Sequence, residues 1–218
     1  MVDIFDEVSE DLRADKARAL FFRYGWLLLT ACALSLVAVG GWQYEQTRAD
    51  AENQRVAGLF SNATTLASTA VGDRARQQAL AAFANVVAQD HKGYTPLALM
   101  NEASLEYDSG NRVAALASWD QVANDTAAPT LMRDLASLLW AQHQLDQADP
   151  GVLTARLQPL LVSSNPWHGL ASEEMALLQL RQGQTAQARA RLQALEADTT
   201  ATQAARERAA ALLASLAA

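Results

Sequence analysis

Hydrophobic and polar positions along this chain follow two different patterns. From Tyr24 to Tyr44 no charged residue occurs, and apolar side chains face every direction of a helix, so no polar stripe remains. From Glu45 onward, apolar residues recur at i, i+4 and i+7 in short blocks, the rhythm of helices that bury one face. β-branched runs and strict alternation are almost absent, and Ala, Leu, Gln, Glu and Arg dominate. These are good helix formers, so the pattern predicts an all-α protein.

The uncharged run is long enough for about 30 Å of helix, the thickness of a bilayer's hydrocarbon core. Tyr24, Trp26, Trp42 and Tyr44 bracket it, and aromatic rings favour the headgroup zone, so these four are the expected membrane-interface residues. The run predicts a single transmembrane helix over 24–44. Its rivals are a cleaved export signal, for which the leader is long and Ala38-Val39-Gly40 is only a passable cleavage site, and a buried core helix, which would normally keep a polar face. Arg13, Lys16, Arg18 and Arg23 precede the run, whereas Arg48 and Arg55 follow it. The positive-inside bias therefore predicts a cytoplasmic leader over 1–23 and a body over 45–218 across the membrane. Ala31 and Ser35, with Gly40-Gly41, offer weak helix-pairing signals.

In the leader, Ile4, Phe5, Val8 and Leu12 fall at helical spacing, with Ser9 as a candidate cap. They are candidate partner contacts on a short amphipathic segment, or one side of a solvated helix running into the span.

The body repeats itself. "QQALAAFANVV" places Ala79, Phe83 and Val86 in register. "GNRVAALASWDQV" gives Gly110, Ala115, Trp119 and Val122. "PGVLTARLQPLL" gives Leu153, Leu157 and Leu160, and "GQTAQARARLQAL" gives Gly183, Ala188, Leu192 and Leu195. The aligned positions Ala79, Ala115, Leu153 and Ala188 are separated by steps of 36, 38 and 35 residues. A small residue at a close helix crossing and a large one a turn later is the logic of a tetratricopeptide-like α-solenoid, here of about four helical hairpins. Gly110 and Gly183 are expected to close the first helix of their hairpins; hairpin three lacks such a glycine, and Gly72 is the nearest in hairpin one. Val56, Leu59, Phe60, Ala63 and Leu66 predict the first helix of hairpin one, and the alanine-rich end after Ala201 predicts a cap.

Composition narrows the function. The chain has 218 residues and a net charge of −7, with no cluster of Lys and Arg on one face, which argues against nucleic acid. One cysteine, Cys32, permits no internal disulfide. His91, His143 and His168 lack metal-ligand spacing, and no nucleophile elbow, phosphate loop or dinucleotide fingerprint occurs. No metal or cofactor is expected, and the body reads as a non-catalytic interaction surface. His143 reads as a helix-face histidine. Trp167, in "NPWHGLASEEM", is either an exposed partner contact or an aromatic sealing a joint between hairpins. Glu173 and Glu174 read as first-turn acids favoured by the helix dipole.

The leader "VDIFDEVSEDLRADKARAL", a span led by "YGW", and the "NPWHGLASEEMALLQLRQGQTAQAR" stretch of the repeat body resemble the ancillary subunit family of the Sec translocon. These are bacterial inner-membrane proteins with one span and a tetratricopeptide-like periplasmic domain. The resemblance implies association with the SecYEG channel and with a membrane-anchored periplasmic chaperone, and a role in handing exported proteins to folding factors. It supplies no catalytic residues. The alternative is a membrane-anchored envelope-stress regulator whose cytoplasmic leader binds a signalling protein.

Overall fold

The computed structural model describes residues 4–216, apart from the side chains at 4–25, 28, 29 and 32. Two compact units emerge, Met1–Arg55 and Val56–Ala218. Among the described residues all regular structure is helical: nine α-helices and one 3-10 turn, with no strand.

From Ile4 onward the first unit is part of α1 (Ile4–Ser68). Helix starts at Ile4, so Ser9 lies inside it rather than capping it; this corrects the expected start. Ile4, Phe5, Val8, Leu12 and Tyr24 have side chains outside the described residues. Trp26, Trp42 and Tyr44 are exposed, and the Arg48 guanidinium lies 4.5 Å from the Tyr44 ring centre. Leu34, Leu36, Val37 and Val39 are exposed at 71, 74, 72 and 59%. At 100° per residue those four point to all sides of the helix. Among the described residues no helix is long and apolar enough to cross a membrane; the side chains of Leu28, Leu29 and Cys32, inside the apolar run, are not among them.

The second unit starts where α1 acquires a buried face. Val56 and Ala63 are fully buried with Phe83, Val86 and Ala98. This last stretch of α1 pairs with α2 (Asp73–Val87). Three further hairpins follow: α3 (Thr95–Asp108) with α4 (Arg112–Asn124), α5 (Thr130–Gln144) with α6 (Pro150–Leu157), and α7 (His168–Arg181) with α8 (Thr185–Ala197). The helix α9 (Gln203–Ser215) closes the stack. Helices pack mainly on their sequence neighbours, giving a solenoid-like arrangement.

The aligned small and large positions meet at the crossings. Ala79, Phe83, Ala115, Trp119, Leu153, Leu157, Ala188 and Leu192 are all essentially inaccessible to solvent. Burying a side chain of Leu or Phe size contributes about 1.5–3 kcal/mol, so each crossing is a substantial part of its hairpin's stability.

Gly110 and Gly183 have φ of +85° and +74°. In each case the glycine N–H donates to the carbonyl three residues back, and the following N–H donates to the carbonyl five residues back. That double bond satisfies the helix's last carbonyls and needs a residue that accepts positive φ. Gly72 (φ +84°) instead precedes α2 at its N-cap and closes no helix. Hairpin three solves the same problem without glycine. The Arg181 guanidinium, reaching from α7, donates to the carbonyls of Leu145 and Ala148 at the α5–α6 turn. Pro159, following Leu157, halts α6 as a short helix and turns it into a 3-10 turn (Gln158–Leu161).

Ties between hairpins follow the repeat. Arg156 pairs with Asp120, Trp167 with Leu131, Arg181 with Leu145, and Arg208 with Glu173, at sequence separations of 36, 36, 36 and 35. Equivalent positions of successive hairpins sit side by side, so one repeat length is also the spacing of lateral bonds.

Candidate functional site

The helix α7 touches both α5 and α9. Between α5, α7 and α9 lies a cavity of about 290 Å³ lined by Leu135, Leu138, Leu139, Gln142, Leu170, Glu173, Glu174 and Arg208. The elements place these residues by simple spacing. Leu135, Leu138, Leu139 and Gln142 fall at helical intervals along α5, and Leu170, Glu173 and Glu174 lie one turn apart on α7.

Glu173 and Glu174 correct a sequence expectation. The helix α7 begins at His168, so neither acid is in its first turn, where the dipole acts most strongly. Their settings differ. Glu173 receives the Arg208 guanidinium, with Nε at 2.8 Å from Oε1 and Nη2 at 2.7 Å from Oε2. Glu174 is 9% exposed, and its Oε2 is buried with no hydrogen-bond partner. Burial pushes its carboxyl up to about 7; the Glu173 charge adds to the rise and Arg208 opposes it. A carboxyl at an i+4 step from Leu170, with Leu178 one further step on, was the available signal: an acid inside an apolar stripe.

That raised value has a stability consequence. The folded chain keeps a proton that the unfolded chain releases, so stability present at acid pH declines as pH rises from the ordinary carboxyl value towards about 7. The full difference is about 3 kcal/mol at 1.36 kcal/mol per pH unit. Glu174→Gln should therefore gain stability relative to wild type by up to about 3 kcal/mol between pH 5 and pH 8. Urea unfolding at both pH values measures it. His143, held below its ordinary value first by burial and then by Arg112, pulls in the opposite direction, so wild type and variant are compared at each pH. An identical gap at both pH values would refute the assignment.

The "NPWHG" loop is a joint. Trp167 is half-buried against the core of hairpin three, and its ring N–H donates to the Leu131 carbonyl at 3.1 Å. Asn165 donates to Asp134 at 2.8 Å. His168 is 7% exposed, with Nδ1 at 2.9 Å from the Asn165 carbonyl and Nε2 at 3.0 Å from Asp198 Oδ2. Both ring nitrogens are engaged, which leaves neither free to serve as a base. Asp198 also accepts from the Thr200 hydroxyl at 2.6 Å and its N–H at 2.8 Å. These bonds, the hydroxyl first, hold its carboxyl down at about 2, with His168 adding a smaller effect. Its stabilising contribution is thus present above the ordinary carboxylate range and is lost only as pH falls towards 2.

His143 does more than decorate a helix face. Its ring stacks on Trp119 at 4.8 Å and an interplanar angle of 8°, and it lies 3.9 Å from Tyr107. It joins hairpin three to hairpin two. A second cavity, of about 530 Å³, opens beside α7 and α8. Two pairs of its polar residues bond to each other: His168 with Asp198, and Arg191 with Gln179 at 3.3 Å.

Among the described residues no group of three His, Cys, Asp or Glu side chains is placed to hold a metal ion. Comparison with protein families, curated proteins and solved structures returns no match.

Proposed function

We propose that the protein is a membrane-anchored, non-catalytic scaffold that docks partner polypeptides on its stacked hairpins. In this reading the run over 24–44 holds the chain in a bacterial inner membrane, the leader lies in the cytoplasm and the helical body in the periplasm. The partners are the SecYEG translocon and a membrane-anchored periplasmic chaperone, and the task is to assist handover of exported proteins. Those partner identities rest on the resemblance of the leader and the "NPWHGLASEEMALLQLRQGQTAQAR" stretch alone.

One observation carries the reading. A helical segment with apolar side chains exposed on all sides is joined in one chain to a hairpin stack that holds a leucine-lined cavity. Exposed apolar surface on that scale calls for a lipid or protein environment. A tether also raises the local concentration of the stack beside a membrane partner, so modest contacts suffice.

Photocrosslinking residues introduced singly from the leader through α9, in cells, test this. Crosslinks from the hairpins to a periplasmic chaperone and from the first unit to SecYEG are expected. Crosslinks only to cytoplasmic proteins, from any position in the hairpins, would refute it.

A further inference from the structure

The cavity between α5, α7 and α9 holds an unmatched acceptor. Glu174 Oε2 is buried and without a partner, although Arg208, a neighbouring cation, is at hand. Arg208 is committed to Glu173 through both oxygens. Two carboxyls thus face one guanidinium. The remaining wall is a platform of Leu135, Leu138, Leu139 and Leu170, with Gln142 as its uncharged polar member. A ligand that fits must bring a cationic donor at one end and a flexible apolar length behind it. An ammonium on a four-carbon stem has that form, compact at the head and greasy along the stem.

We infer that this cavity receives a lysine side chain from a partner polypeptide, its ammonium seated on Glu174 and its methylene stem lying along the leucines. The inference rests on the scaffold reading and specifies what the stack grips. A deeply buried acceptor left open costs free energy in the free protein, and the incoming ammonium removes that cost. Leu170, 37% exposed, sits at the rim, so a side chain enters without opening the core. The charged groups facing Glu174 are Glu173 on its own helix and Arg208 on α9, while α5 contributes only the leucines and Gln142. Seating a cation requires the ionised carboxylate. A carboxyl that titrates near 7 goes from about one tenth to about nine tenths ionised between pH 6 and pH 8, so affinity rises about tenfold over that interval.

The test uses the full chain in detergent and two fluorescein-labelled heptapeptides of alanine and leucine, one with a central lysine and one with norleucine there. Fluorescence anisotropy should show the lysine peptide binding about ten- to a hundredfold more tightly, the range of a buried charge-assisted hydrogen bond. Glu174→Gln should abolish that preference and the pH dependence while leaving norleucine-peptide binding in place. Leu170→Ser, at the rim, should weaken both peptides alike, and circular dichroism should show both variants folded. Equal affinity for the two peptides, absence of binding to either, or lysine affinity that falls with pH would each overturn the inference. The last would mean that the protonated carboxyl donates to a carbonyl instead. If these fail while wild type still crosslinks to SecYEG and a chaperone, the scaffold reading stands and only the lysine pocket is lost.

Discussion

Trp119→Ala should destabilise the hairpin stack by about 3–5 kcal/mol, the usual cost of removing a buried aromatic and leaving its cavity. Trp119 is 1% exposed and packs among Leu99, Met100, Ala103, Ala115 and Val122. Its ring also stacks on His143 and lies 6.0 Å from Tyr107. One side chain therefore holds hairpin two together and fastens hairpin three to it. In a solenoid each hairpin leans only on its neighbours, so the loss cannot be shared across the whole stack. Hydrogen exchange should show α3, α4 and α5 losing protection first, and the thermal midpoint should fall by roughly 10 °C for a domain of this size. Trp119→Phe is the control. The indole N–H is buried without a partner, so Phe keeps most of the ring packing and removes an unsatisfied donor. It should cost much less than Ala. A Trp119→Ala chain that melts like wild type would show that this stack does not hold the joint.

Leu34→Arg combined with Val37→Arg should detach the protein from membranes. In the proposed anchor each arginine near the centre costs about 2.5–3.5 kcal/mol to insert, in a run already interrupted by Thr30, Ser35, Gly40 and Gly41. Both positions are more than 70% exposed, so the folded hairpins should be indifferent to the change. Carbonate extraction of a membrane fraction reads the result. Wild type should stay in the pellet and the double variant should leave it. A double variant that remains in the pellet as firmly as wild type would mean that the apolar run is not the anchor.

Much of the hairpin architecture is legible in the sequence. Ala79, Ala115 and Ala188 recur in register because a close helix crossing needs a small residue, and Leu153 holds the equivalent place in hairpin three. Gly110 and Gly183 were legible for a local reason, since a helix end that turns through positive φ strongly favours glycine. Other features were not legible. The Leu170–Glu174–Leu178 stripe marks Glu174 for burial, but its lack of a partner was hidden: α9 brings Arg208 to Glu173 and leaves Glu174 buried and unmatched. The role of Arg181 was hidden for the same reason. Nothing near it in sequence says that a turn 36 residues earlier lacks its glycine.

What the sequence determined by itself is periodic and local: helix throughout, the repeat length, the glycine stops, and an apolar run with no polar face. Those follow from backbone propensity and side-chain spacing, which are properties of neighbouring residues. What the tertiary structure decided is the pairing of groups one repeat apart. Trp167 is a sealed joint with its N–H on Leu131, His143 is a stacking partner of Trp119, and Glu174 is the acid without a cation. Burial and hydrogen-bond satisfaction depend on what arrives from the next hairpin, and that distance in sequence carries no local signal.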